Sequence, residues 1–160
     1  MKRRWLVGAA GVATVAVAAG RTVRRFRIRE DSMAPALEAD DWVIARRRHA
    51  PPERGDIVVF TDPSDARRSL IKRVIGLPGE RVGIEAGRVT VDGALLADRW
   101  ANGLTWPDGE WQVADDEVWL LGDNRGRSVS DGRTLGPTPI DGIGWIVMAR
   151  YWPRQRLGRV

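Results

Sequence analysis

Two textures divide the chain. Residues 5–20, WLVGAAGVATVAVAAG, run for sixteen positions without a charge. Beyond Arg21 the apolar residues separate and begin to alternate with polar ones. Phe26 and Ile28 stand between Arg25, Arg27 and Arg29, which is the period-two pattern of a half-buried strand. Further short apolar runs at 42–46, 56–60, 70–76, 81–85, 88–91, 117–121 and 142–151 predict seven more strands. Val91-Asp92-Gly93-Ala94 predicts a hairpin, because Asp-Gly tolerates the positive φ that tight hairpin turns need. No stretch after residue 30 keeps a long 3.6-residue periodicity. The pattern therefore predicts a mainly β fold, a bent sheet or partly open barrel, with one N-terminal helix. Residues 97–116 break the rhythm: they are polar and turn-rich, with Trp100, Trp106 and Trp111 scattered through them. We read them as a loop-rich insertion whose tryptophans serve local core more than binding.

Composition sharpens this division. At 160 residues, with 18 glycines and 9 prolines, the chain suits one turn-rich domain with a real core. We divide it into a basic flank and apolar segment, 1–21, and a β domain, 22–160. The net charge of +5 hides an asymmetry. The first 29 residues hold eight basic and no acidic side chains, so they contribute +8 and leave −3 for the rest. A basic arm beside an acidic body argues against nucleic acid as a partner and for anionic lipid head groups.

The apolar segment admits three readings. As a helix of sixteen residues it would span about 24 Å, short of a hydrocarbon core of roughly 30 Å. It fits a marginal membrane anchor, with Trp5 at an interface position. Ala16-Val17-Ala18 also resembles the cleavage site of a removable secretion signal, and a buried or interfacial helix is the third option. Both flanks are basic, so counting positive charges does not fix an orientation.

The chain has no cysteine and one histidine, His49. That excludes disulfides and thiolate metal sites, and it leaves no basis for a multi-histidine site or a histidine-based triad. Attention moves to Ser32-Met33-Ala34-Pro35. Pro35 fixes the backbone just after Ser32, so the serine sits on a turn. A serine in a turn is ordinarily a cap. It becomes a nucleophile only where a base takes its proton.

Lysine can be that base if it is desolvated. Free in water, roughly one lysine in 2,500 is neutral at pH 7, and burial raises that share. The chain has only two lysines, Lys2 and Lys72, against 24 arginines. Lys72 lies in the apolar run Leu70-Ile71-Lys72-Arg73-Val74-Ile75. Arginine keeps its proton at working pH and lysine need not, so this solitary lysine is either a base or a solvent-facing strand residue.

Three more segments accompany the pair: Arg54-Gly55-Asp56-Ile57-Val58-Val59-Phe60; Gly76-Leu77-Pro78-Gly79-Glu80; and Gly122-Asp123-Asn124-Arg125, followed by Ser128, Asp131 and Arg133. In this order, from about Phe26 to Ile146, the chain resembles the type I signal peptidases, membrane-anchored serine–lysine endopeptidases. The matching boxes are Ser32–Pro35, Arg54–Phe60, Lys72–Gly79 and Gly122–Arg133. The resemblance implies a β-rich catalytic domain, Ser32 as nucleophile, Lys72 as general base and the Ser32 N–H in an oxyanion hole. It implies that Ser128 orients the lysine, while Asp131, Arg133 and Asp123 support the site. It implies shallow pockets for small substrate residues, lined by Phe26, Ile28, Met33, Leu37, Val59 and Ile71. No metal or cofactor is implied. The partners are precursor proteins with N-terminal leader peptides, and membrane lipids. The expected place is the cell membrane, with a single pass and catalysis on the extracytoplasmic face.

Three departures qualify the match. Glu30 stands where relatives usually carry Gly or Ser, two residues before the nucleophile. It would oppose an oxyanion unless it faces solvent or pairs with an arginine. The last box is one residue longer between Ser128 and Asp131, so Ser130 competes with Ser128 as the lysine's neighbour. Gly132 replaces the usual Ser. Two other client arrangements are open: a dedicated maturation protease for one precursor, such as a metalloenzyme pro-segment, and a self-cleaving serine–lysine regulator. A catalytically decayed membrane-bound β module is the non-enzyme alternative.

Overall fold

The computed structural model describes residues 22–160. Twelve strands dominate it: β1 (Val23–Arg27), β2 (Trp42–Arg47), β3 (Ile57–Asp62), β4 (Asp65–Gly76), β5 (Arg81–Glu85), β6 (Arg88–Val91), β7 (Ala94–Leu95), β8 (Gly109–Gln112), β9 (Glu117–Leu121), β10 (Thr138–Pro139), β11 (Ile143–Trp152) and β12 (Gly158–Arg159). One short helix, α1 (Gly132–Leu135), precedes β10. The expected apolar runs are all strands, with ends shifted by one or two residues apart from β4. That strand starts five residues early, in the charged stretch Asp65-Ala66-Arg67-Arg68-Ser69. Hairpin pairing with β3, rather than burial, holds this arm.

The strands form two antiparallel sheets. The larger runs β1-β2-β11-β3-β4-β9-β10, with β12 added to β11, and the smaller runs β7-β6-β5-β8. The larger path ends at β1 and β10, so the sheet is open. Register shifts interrupt β11 at Val147/Ala149 and Arg150/Trp152, and β4 at Val74/Gly76. Each such bulge increases twist and bends its strand, which gives the curvature the alternating pattern suggests. The Val91–Ala94 hairpin forms as expected, with Asp92 and Gly93 both at positive φ.

Three apolar clusters fill the space. Met33, Leu37, Val43, Ala45 and Ile57 enclose the first, beneath the Ser32 turn. Val58, Phe60, Val74 and Leu120 form the second. The third joins the sheets through Ile75, Val82, Val113 and Trp119. Residues 97–116 are less loop-like than their composition suggests. Gly109–Gln112 forms β8 on the edge of the small sheet. Trp111 stacks against buried Trp119 with ring centroids 4.9 Å apart, Trp100 packs on the same cluster, and Trp106 stays half exposed. The expected N-terminal anchor, 1–21, lies outside the described residues. Among those described, no helix is long and apolar enough to cross a membrane.

Candidate active site

Ser32 opens a tight turn after β1. Ile28 pairs with the returning chain at Asp40 and Asp41 through backbone hydrogen bonds of 2.9 and 2.8 Å, closing the loop at its base. Met33 and Leu37 are one turn apart, joined by a 2.9 Å backbone bond, and both plunge into the first cluster. Arg150 and Arg156 fasten the far side by donating to the Ala36 and Pro35 carbonyls. With both apolar residues anchored below, Ser32 is turned toward β4.

There it meets Lys72. The lysine Nζ donates to Ser32 Oγ at 2.9 Å and to the Ile71 carbonyl at 3.1 Å. Both residues are buried. Burial pushes the Lys72 pKa below the ordinary lysine value; the carboxylates of Asp131 and Glu30 pull it back up, while Arg68 and Arg133 lower it further. The desolvated strand position thus favours the neutral amine that a base requires. The Ser32 N–H donates to no acceptor among the described residues.

The Gly122–Arg133 segment braces the turn from the other side. Asn124 N–H donates to the Ser32 carbonyl at 3.0 Å. Gly122 lies so close that a Cβ there would stand 2.6 Å from the Ser32 carbonyl oxygen and 2.4 Å from Ser128 Cβ. Asp131 caps α1 and is fully buried. It accepts hydrogen bonds from Ser128 Oγ (2.6 Å), the Gly122 N–H (3.2 Å) and the Arg133 guanidinium (2.9 Å). Burial alone would raise the Asp131 pKa, but the bonds from Arg133 and Ser128 outweigh it and hold the carboxyl below the ordinary range. Asp123 forms a buried two-point pair with Arg73 at 2.6 and 2.8 Å. Arg73 also donates to the Gly55 carbonyl at 2.7 Å. Gly55 itself is at positive φ, with Trp100 filling the space a Cβ would need.

Several expectations change at this point. Ser128, the buried one of the two serines, gives its proton to Asp131, whereas the hydrogen bonds of Lys72 go to Ser32 and Ile71. Ser128 therefore bears on the lysine only through the Asp131 carboxylate, whose charge favours the ammonium form of Lys72. Phe26, Ile28, Val59 and Ile71 line a groove of about 370 Å³ that ends at Ser32 and Lys72. Met33 and Leu37 do not line it: both are completely enclosed beneath it, because holding the turn down needs their side chains in the core. Glu30 faces solvent and pairs with Arg68 at 3.2 Å, the arrangement that removes its conflict with an oxyanion.

Sequence reasoning missed the groove's cations. Arg27, Arg29, Arg67 and Arg68 share its walls. Their signal was present, since Arg67 and Arg68 precede Ile71 and Lys72 on one run and Arg27 and Arg29 flank Ile28. It also missed Arg125, which is wholly buried between Asp98 (2.6 Å), Thr105 (2.6 Å) and the Gly122 carbonyl (2.9 Å). This arginine ties the 97–106 loop to the segment that braces Ser32.

The family model described as "Signal peptidase, peptidase S26" matches residues 2–152. The chain is 37% identical over 147 residues to a signal peptidase I of Leptolyngbya laminosa, covering 83% of this chain and 70% of that protein. It is 37% identical over 141 residues to a probable signal peptidase I-2 of Synechocystis, covering 82% and 64%. The crystal structure of a signal peptidase I from Enterococcus faecalis superposes with a TM-score of 0.52 at 27% identity, covering 59% of this chain and 94% of that one.

Proposed function

Because the chain belongs to the S26 signal peptidases, we propose that it is a serine endopeptidase that removes leader segments from precursor proteins, with Ser32 as nucleophile and Lys72 as general base. The observation that carries this reading is the 2.9 Å contact between a buried Lys72 Nζ and Ser32 Oγ at the end of an open groove. A neutral Lys72 takes the Ser32 proton as Oγ attacks the scissile carbonyl. The Ser32 N–H stands ready for the oxyanion. Lys72, now an ammonium, hands its proton to the leaving amine. Water then enters and gives a proton to the same lysine as its oxygen bonds to the acyl carbon; the Ser32 Oγ–acyl bond breaks, and the lysine returns that proton to Oγ. Asp131 stabilises the transient ammonium; Ser128 and Arg133 fix that carboxylate, and Asp123 with Arg73 holds the strand that carries Lys72.

The groove supports an extended client. One wall is the β1 edge and the turn after it. The other is the first part of β4, which pairs with β3 alone before β9 joins at Arg73. A peptide lying between two strand edges gains main-chain hydrogen bonds. Ile28, Val59 and Ile71 crowd the floor and leave room for small side chains near the cut.

In the same reading, residues 1–21 are the basic flank and membrane anchor and 22–160 the catalytic domain, outside the cytoplasm. The sixteen uncharged residues between basic flanks support the anchor. The half-exposed Trp42 and Trp152, opposite each other across β2 and β11, support an aromatic rim at a lipid interface. The test is cleavage of a precursor carrying an Ala-Xaa-Ala leader by the full-length protein. Ser32→Ala and Lys72→Ala should each abolish it while circular dichroism stays unchanged. Cleavage at the normal rate by either folded variant removes the dyad from the mechanism.

A further inference from the structure

Four arginines and one glutamate share the walls of the groove, an uneven balance for a cleft meant to receive an apolar leader. Two of the arginines have local partners: Arg27 pairs with Asp40 at 2.7 Å and Arg67 reaches Asp65 at 3.5 Å. Among the described residues, the Arg29 side chain has no partner within hydrogen-bonding or ion-pair distance. Arg68 is different, because its partner Glu30 comes from the opposite wall. Glu30 lies on the segment leaving β1, Arg68 lies on β4, and their side chains meet at 3.2 Å. This ion pair therefore spans the groove between the edges that would flank a bound peptide. Behind it, the buried Asp62 carboxylate stands 3.8 Å from Arg68. That carboxylate is a second negative charge beside the guanidinium, on the side away from Glu30.

We propose that Arg68, assisted by Arg67, is a specificity site for an acidic side chain of the client, which takes the place of Glu30 on the Arg68 guanidinium. This inference rests on the peptidase reading and adds the chemistry of the preferred client. A client with a neutral side chain at that point must part the pair and leaves Arg68 without a replacement. A client with Asp or Glu exchanges one carboxylate for another. The difference between the two is the worth of one half-exposed ion pair, about two- to fivefold in kcat/KM, and it shrinks as salt screens the charges.

The pair also faces Lys72, whose other charged neighbours are Asp131 and Arg133. Breaking it from its two ends therefore has opposite effects on the base. Glu30→Gln removes a carboxylate that favours the ammonium and moves the acid limb of the rate profile to lower pH. Arg68→Gln removes a cation and moves it to higher pH.

The experiment uses the full-length protein in detergent and paired precursor peptides that differ only as Asp against Asn, at successive positions on either side of the cut. The expected result is a two- to fivefold preference for Asp at one position, lost in 0.5 M NaCl, absent in Arg68→Gln and retained in Arg68→Lys. Glu30→Gln should cleave the Asn peptide faster than the wild type does, since no pair remains to be opened. Equal rates for Asp and Asn at every position overturn the inference while leaving the peptidase reading intact, and so does a preference that persists in Arg67→Gln/Arg68→Gln. Failure to cleave any of the peptides counts against the peptidase reading itself, and the inference falls with it.

Discussion

Gly122→Ala adds one methyl group at the tightest point behind the nucleophile. That methyl would stand 2.6 Å from the Ser32 carbonyl oxygen, 2.4 Å from Ser128 Cβ and 2.3 Å from Ser128 Oγ, where ordinary van der Waals contact begins at 3.4 Å. Neither neighbour can simply swing away. The Ser32 carbonyl is main chain and already accepts from Asn124 N–H; Ser128 is tied to Asp131 at 2.6 Å. The clash must be relieved by moving the Ser32 turn and the Gly122–Ser128 segment apart by several tenths of an ångström or more. Overpacking of this kind costs about 1–3 kcal/mol of stability. Misplacing a reacting group by about 1 Å can cost on the order of a hundredfold in rate. We therefore expect kcat for leader cleavage to fall on the order of a hundredfold, with a lower urea midpoint but a cooperative transition. Gly126→Ala, four residues on, is the control, because a Cβ there meets nothing within 4 Å; it should keep both rate and midpoint. A folded Gly122→Ala enzyme with wild-type kcat would refute the claim that this loop sets the position of Ser32.

Three further outcomes follow from the buried charges. The rate should rise with pH through an apparent pKa below that of free lysine, since burial lowers Lys72; Asp131→Asn, which removes a carboxylate favouring the ammonium, should move that limb to lower pH in a pH–kcat/KM profile. Lys72→Met should raise the melting temperature at neutral pH. A lysine with a lowered folded pKa binds fewer protons folded than unfolded, so its penalty is largest below the folded pKa and fades as pH rises toward the ordinary value of 10.5; the gain from Met should fade over the same window. Arg125→Met should cost about 3–5 kcal/mol in urea unfolding by stranding the Asp98 carboxylate, and adding Asp98→Leu should recover part of the loss.

Strand positions were legible because most strands bury one face or both, so alternation and apolar runs mark them directly. β8 was not: Gly-Glu-Trp-Gln is too short and polar to show a period, and it is a strand only because β5 offers it an edge. The same limit governs the site. Ser32 and Lys72 stood out as a turn serine and a solitary lysine in an apolar run, and the fold brings them to 2.9 Å. Whether Ser128 meets the lysine or a carboxylate depends on the path of the 122–131 loop, which residue types do not encode. Met33 and Leu37 carry the same apolar signal whether they line a pocket or anchor the turn; the curvature of the chain after β1 decides for the core. Glu30 needs solvent or an arginine partner to spare the oxyanion; which arginine is not legible, because Arg68 is 38 residues away and only the β3–β4 hairpin brings it across the groove.

Covalent capture of the nucleophile shows whether Lys72 activates Ser32. The full-length protein is incubated with a serine-directed acylating inhibitor, and the adduct is located by mass spectrometry of its peptides as a function of pH. If Lys72 is the base for Ser32, one adduct forms, on Ser32, faster as pH rises and at most marginally in Lys72→Ala. An adduct on any other residue, or equal labelling of Ser32 with and without Lys72, would contradict it.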